Sequence, residues 1–339
     1  MSIGGSEKEF IFHLYLKTRK EKLEQVLGAR LSHIQLEQPI DTLQDRSRSG
    51  NAEKKKPVDM YAIDSLGTPV LVESVLARSN GAHQEAVLQL IDYLDAGRVV
   101  YQALSFQDKH VTELRNVVET SGKPICLYLV EIDQGVLQPI QELDGLNKLD
   151  VWDNLSLVDS VAQPLRLVEK VESQRFQGIQ PVPIPDGIYD YSVCREALNQ
   201  FMIKELERCI PEFFGFHRGK SRLENSVMCF GAGASDLMYH CSSCDSRGYA
   251  FVELRFGNRE DLYHLISSKP RLLEANIDKR VYARDNTVGV QFRGLEDPRA
   301  NVRQIVKTFR AMIENVSRPL YDLLSFEHEV KVMLKRTAA

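Results

Sequence analysis

The sequence predicts an α/β protein, a mixed sheet flanked by helices, joined to a separate α+β domain. Three observations predict it. Strand-period and helix-period segments alternate from about residue 31 to residue 172, the pattern of a sheet covered by helices. Residues 173–187, SQRFQGIQPVPIPDG, then carry three prolines and two glycines. Proline resists helix and sheet interiors, so this stretch reads as a linker between residues 1–172 and residues 188–339. The second half opens on a helix, runs through three strands and one helix, and closes with a hairpin and a long helix. A length of 339 residues suits two domains.

The elements follow in order. Residues 10–16, FIFHLYL, alternate like a strand or begin an amphipathic helix, and the pattern does not separate the two. Residues 18–29 place Leu23, Val26 and Leu27 on one helical stripe, and 31–37, LSHIQLE, alternate with period two. Residues 41–57 are polar and read as a loop. VDMYAID, SLGT and PVLVESV form a hairpin around a glycine-containing turn. Residues 82–96 space Val87, Leu88, Ile91 and Leu94 helically, with Gly97 as a stop. VVYQAL, a helix from Asp108 to Ser121, PICLYLVEI and PLRLVEKVE complete the first half. No element is predicted between 133 and 163. In the second half a helix runs from Ser192 to about Phe213, with Leu198, Phe201, Met202 and Leu206 as its apolar stripe. The strands NSVMCFG, SDLMYHCSS and YAFVELRFG follow, then one helix near 259–276, a hairpin of VYARD and GVQFRG, and a long helix from about 300.

Hydrophobic residues make up 43% and charged residues 27%, which excludes disordered, collagenous and coiled-coil classes. No run approaches the roughly 18 apolar residues of a membrane helix. The N-terminus MSIGGSEKEF lacks an apolar signal core, and six cysteines make no disulfide scaffold. The expectation is a cytoplasmic protein without a membrane partner. The net charge of −4 gives no general affinity for polyanions, so a nucleic-acid contact needs a local patch. Residues 129–172 hold nine acidic and three basic side chains, and 269–310 hold ten basic and five acidic. Arg46, Arg48, Lys54, Lys55 and Lys56 crowd a loop against Glu53 alone. Such runs read either as solvated surface or as two basic segments flanking a polyanion.

Two acids carry the candidate chemistry. Asp59 starts the first hairpin strand, and Glu73 sits within Val70–Val75 of the second, thirteen residues intervening. A hairpin returns positions that far apart to one place. An ionised carboxylate on an otherwise apolar strand is costly unless it is paired, exposed or bound to metal. Converging carboxylates suit Mg²⁺ or Mn²⁺, which favour oxygen ligands, and such a metal activates water at a phosphodiester. The helix that follows carries His83, Gln89 and Tyr93, the last two sharing a face at i, i+4. The plainer alternatives are strand-end acids paired with arginines, a surface His83, an ordinary polar Gln89 and a core Tyr93.

The pattern D-x(13)-E-x-V followed by Q-x(3)-Y resembles the core of the PD-(D/E)xK, or restriction-endonuclease-like, nuclease superfamily. More widely, VDMYAID, GTPVLVES, AHQEAVLQLIDYL and VVYQAL, with FVELRFGNREDLYHLI and FRGLEDPRANVRQIVKTFRAMIENVSRPLYDLL, resemble a bacterial family of uncharacterised two-domain proteins, over roughly residues 18–325. The resemblance implies Asp59 and Glu73 as metal ligands and Gln89 and Tyr93 as residues that support the active site and approach DNA. It implies a DNA partner in defence or repair, with self-association or a defence-complex subunit as the protein partner. One departure stands out. The superfamily's lysine, two residues after the second acid, is Val75. Valine can neither position water nor stabilise phosphate charge, and no lysine occurs between 57 and 108. Arg78, Arg98 and Lys54–Lys56 are the nearby cations. The alternative implied is a nuclease fold without catalysis that binds nucleic acid or protein.

Cys241 and Cys244 form a C-x2-C pair, half of a zinc site, with Cys229, His240 or His217 as the residues to complete it. No second such pair exists, and the favoured reading is a plain hairpin without zinc. Cys126, Cys194 and Cys209 sit in apolar patterns as small core residues. No phosphate-loop, dinucleotide or nucleophile-elbow motif occurs.

Overall fold

The computed structural model describes residues 7–38, 57–176, 195–217, 223–234, 236–245, 247–294 and 297–325. The basic loop Arg46–Lys56, Cys194 and most of the proline-rich stretch lie outside them. The chain divides into two units, Met1–Leu146 with Asp153–Asp186, and Asn147–Trp152 with Gly187–Ala339.

The first unit holds a six-stranded mixed sheet in the order β1-β2-β3-β4-β5-β6. Its elements are α1 (Lys8–Thr18), α2 (Lys20–Leu27), β1 (Leu31–Gln38), β2 (Val58–Asp64), β3 (Pro69–Arg78), α3 (Gly81–Tyr93), β4 (Gly97–Ser105), α4 (Asp108–Thr120), β5 (Ile125–Ile132), α5 (Leu137–Asp144) and β6 (Leu165–Glu172). The segment 10–16 is helical. Phe10 to Leu16 are all buried, so a helix hidden on every side leaves no polar stripe to read. β1, β2 and β3 are antiparallel neighbours, β3, β4 and β5 run parallel, and β6 returns antiparallel. α3 and α4 are the crossovers that parallel strands require. They enclose a core of Leu71, Val75, Val87, Leu90, Val99, Leu114, Val118, Leu127 and Leu129 on one sheet face. α1 packs against β1, β2 and β3 and against α5.

The hairpin tip is built around Asp64. Its Oδ1 accepts from the backbone N–H groups of Leu66 and Thr68, both at 2.9 Å, and its Oδ2 accepts from Arg98 Nε at 2.7 Å. Burial favours the neutral acid, but Thr68, Arg98 and the backbone donors outweigh it and hold the Asp64 carboxyl below its usual range. Gly97, beside Arg98, has φ +149°, and a Cβ there would meet Pro69 O at 2.5 Å. Only glycine allows β4 to enter the sheet so close to β3.

The second unit is an antiparallel five-stranded sheet in the order β10-β11-β9-β8-β7 with its own helices. Its elements are α6 (Lys148–Asp153), α7 (Arg195–Cys209), β7 (Met228–Gly231), β8 (Met238–Ser242), β9 (Tyr249–Arg255), α8 (Glu260–Ser267), α9 (Pro270–Asn276), β10 (Val281–Arg284), β11 (Thr287–Arg293) and α10 (Pro298–Met312), which continues into a π-turn at Ile313–Ser317. The sequence reading places 147–152 in the first domain. Those residues belong with the second unit, because Leu149 of α6 lies in its core. One sheet face, with Phe230, Tyr239, Cys241, Val252, Leu254, Val288 and Val290, packs against Met202, Leu206, Ile305, Phe309 and Met312. Phe309 meets Phe213, Phe230 and Tyr239 with ring centroids 5.5, 6.1 and 4.5 Å away.

Candidate functional site

β2 and β3 pair with Met60 opposite Val72 and Tyr61 opposite Leu71. One further rung of that register would set Asp59 opposite Glu73. The ladder stops short of it. The Asp59 side chain takes over the next donor instead, its Oδ2 accepting from the Ser74 N–H at 2.8 Å. His13 of α1 brings Nε2 within 3.9 Å of the same oxygen. His13 is buried, placed there by a helix that is apolar on every other side.

Glu73 shares its sheet face with Leu71 and Val75, the face covered by α3 and α4. It is 2% exposed, and its Oε1 accepts from His83 Nδ1 at 2.8 Å. His83 is held in the first turn of α3, where its N–H donates to the N-cap side chain of Asn80 at 3.1 Å. The capping residue thus fixes the start of the helix and delivers the imidazole to Glu73. The next strand continues the polar rungs. Tyr101 of β4 stands beside Glu73, and Gln102 beside Ser74, whose Oγ donates to Gln102 Oε1 at 3.0 Å. Burial pushes the Tyr101 hydroxyl up to about 12, the Asn80 backbone acting against that rise and the Glu73 carboxylate adding to it. Gln102 is fully buried, and its Nε2 has no hydrogen-bond partner among the described residues.

The two acids therefore reach adjoining positions along the hairpin, yet their carboxylates are drawn to different helices, Asp59 toward α1 and Glu73 toward α3. Among the described residues no group of three or more His, Cys, Asp or Glu side chains is placed to hold a metal ion.

The remaining sequence-derived residues fall elsewhere. Gln89 is exposed, and its Nε2 lies 3.4 Å from Glu85 Oε1 one turn back. Tyr93 packs against the α3/α4 core. The helix side chain that meets the acids is His83, a turn and a half before Gln89. Val75 is 5% exposed and part of the same core, so the position of the superfamily lysine is occupied by packing. Arg98 is committed to Asp64 at the opposite end of the hairpin. Arg78 is exposed at the far end of β3, and Lys54–Lys56 lie outside the described residues. The side chains beside the acids are instead two histidines. His13 lay hidden in an apolar run, and His83 carries only the weak signal of a helix start.

The C-x2-C pair is split by the sheet. Cys241 is buried with Sγ 3.7 Å from Met202 Sδ, whereas Cys244 is exposed at the β8–β9 turn. Cys126 is buried in β5, while Cys209 is only partly so. Comparison with known proteins finds no matching family model, no matching curated protein and no matching solved structure.

Proposed function

We propose that the chain is a DNA-handling protein whose first unit is a restriction-endonuclease-like fold that binds without cutting. One observation carries this reading. Glu73 is held by His83 and Asp59 by the Ser74 N–H with His13 nearby, while the motif's lysine position holds a buried valine. A phosphodiester in transition needs a cation aimed at its developing charge. Val75 supplies none, and a histidine bound to a buried carboxylate is spent on that carboxylate. The element order of hairpin, helix, strand, helix and strand around Asp59 and Glu73 supports the fold assignment. The basic stretch 269–310 supports backbone contact, which gives affinity without sequence information. Defence or repair in a bacterial cytoplasm is the setting this implies.

Metal-dependent hydrolysis is the second reading, favoured by a β2–β3 register whose next rung would set Asp59 opposite Glu73. Incubating the full chain with plasmid and linear DNA, with Mg²⁺ or Mn²⁺, separates the two. The binding reading expects intact DNA and a salt-sensitive complex. Cleavage that disappears in a folded Glu73→Gln variant overturns it in favour of the hydrolase.

A further inference from the structure

The second sheet has one face in the core and one face outward, and the register maps the outward face row by row. Cys229, His240, Glu253, Gly289 and Tyr282 lie side by side across the five strands. The neighbouring row is Gly231, Met238, Arg255, Thr287 and Arg284. Tyr249 and Arg293 form another pair on the same face. Phe251 and Ser242, between these rows, are buried, so the accessible part consists of the rows on either side of them.

Several features make this face unlike ordinary solvated sheet. Met238 and Tyr249 are 44% and 39% exposed where charged or small polar residues would be usual. Gly289 has no side chain, and Tyr282 reaches across it so that its hydroxyl donates to Glu253 Oε1. A Cβ at Gly289 would meet Glu253 Cγ at 2.8 Å, so the path over this position depends on glycine. The Arg284 guanidinium carbon lies 4.7 Å from the Tyr282 ring centroid, presenting a flat cation above a flat ring. Glu253, the acid of these rows, is taken by Tyr282 and by Arg255 at 3.2 Å. Among the described residues Arg284 and Arg293 have no ion-pair partner. Burial and Arg255 shift the His240 imidazole below its ordinary value, against the pull of Glu253. The face therefore offers rings, a thioether and uncommitted guanidinium groups, with its carboxylate neutralised.

We infer that this face is a platform for an unpaired nucleic-acid strand, with bases stacked on Tyr249, Tyr282 and Met238 and phosphates held by Arg284 and Arg293. Flat rings accept any base, and arginines at the edges follow the backbone, the combination that single-strand binders use. A duplex hides its base faces and would gain only the charge contacts. The inference rests on the nucleic-acid reading above and deepens it by naming the strand form and the surface.

Fluorescence anisotropy with the full chain tests it, using labelled oligo-dT, oligo-U and a duplex, each about 20 units long so as to exceed one sheet's footprint. The expected result is tighter binding of one or both single strands than of the duplex. An Arg284→Ser, Arg293→Ser double variant should weaken single-strand binding about tenfold and flatten its salt slope by about 0.7 for each phosphate no longer neutralised. Tyr249→Ser should weaken it about fivefold or more without changing that slope. Photocrosslinking of the unaltered chain to a bromouracil-containing strand should map to peptides holding Tyr249 or Tyr282, and this readout needs no variant to fold. Crosslinks confined to other peptides, or single-strand affinity indifferent to all the substitutions, overturn the inference. If duplex binding meanwhile persists, the DNA-handling reading stands. If no nucleic acid binds, both fall. A preference between oligo-dT and oligo-U assigns the strand as DNA or RNA.

Discussion

Glu73 shows what a single buried carboxylate demands of its neighbours. At 2% exposure it has lost its water, and His83 at 2.8 Å returns a charge-assisted hydrogen bond. Removing one partner of such a pair leaves the other buried and underpaired, which costs about 3–5 kcal/mol. His83→Ala should therefore lower the urea-derived stability by about that amount. Adding Glu73→Leu to it should restore a large part, since replacing both partners by apolar groups approaches neutrality. Additive losses in the two-residue cycle would show that the contact does not hold the site together. Val75→Lys, which writes the superfamily's lysine into the chain, places an ammonium in the α3/α4 core. The expected outcome is a loss of several kcal/mol in a denaturant titration and no gain of cleavage. A stable, DNA-cutting Val75→Lys variant would contradict the packing argument and revive the hydrolase.

The β2–β3 hairpin is the element on which the first unit turns, because one end holds the candidate acids and the other the Asp64–Arg98 pair. Both partners of that pair are nearly inaccessible, and Arg98 also donates to the Tyr128 hydroxyl and lies 5.1 Å from the Phe176 ring centroid. Arg98→Ala should cost about 3–5 kcal/mol at neutral pH. The carboxyl of Asp64 is lowered in the folded state, so its contribution is present above the ordinary carboxylate range near pH 4. It is lost as the pH falls through the lower folded value. Acid unfolding followed by circular dichroism should be less steep in Asp64→Asn than in the unaltered chain. Gly97→Ala forces a Cβ against Pro69 O at a φ that side chains avoid, and should cost roughly 1–3 kcal/mol in thermal unfolding. The hairpin itself was legible from VDMYAID and PVLVESV around SLGT. The use of Asp64 as the turn's acceptor was not, since its strongest partner lies on another strand.

At the scale of the whole molecule, both units bury tyrosines whose hydroxyls burial pushes upward: Tyr15, Tyr101 and Tyr128 in the first, Tyr239 and Tyr321 in the second. A raised folded value means that the neutral form is favoured on folding. Stability from these groups is complete below pH 10 and is lost as the pH rises through their folded values, for Tyr101 about 12. Tyr101 alone accounts for on the order of 2–3 kcal/mol across that window. Ultraviolet titration of tyrosinate should therefore lag well behind free tyrosine until the fold gives way, and then rise together with the loss of circular dichroism. Smooth titration near pH 10 with the fold intact would contradict the burial of these rings.

The sequence by itself determined the strands and most of the helices, because period-two and period-3.6 patterns are local consequences of having one face in a core. It pointed to a hairpin that returns Asp59 and Glu73 toward one place, and the observed ladder ends one rung before pairing them. It left α5 and α6 unread, because these short helices of 8 and 6 residues span too few turns to display a period. Only the tertiary structure decided which partners the acids take. His13 and His83 come from helices on different sides of the strands, and no spacing rule links them to a carboxylate across a sheet. The same holds for the outward face of the second sheet. Its rows join residues from five strands, and cross-strand register between distant segments is set by how the whole sheet assembles.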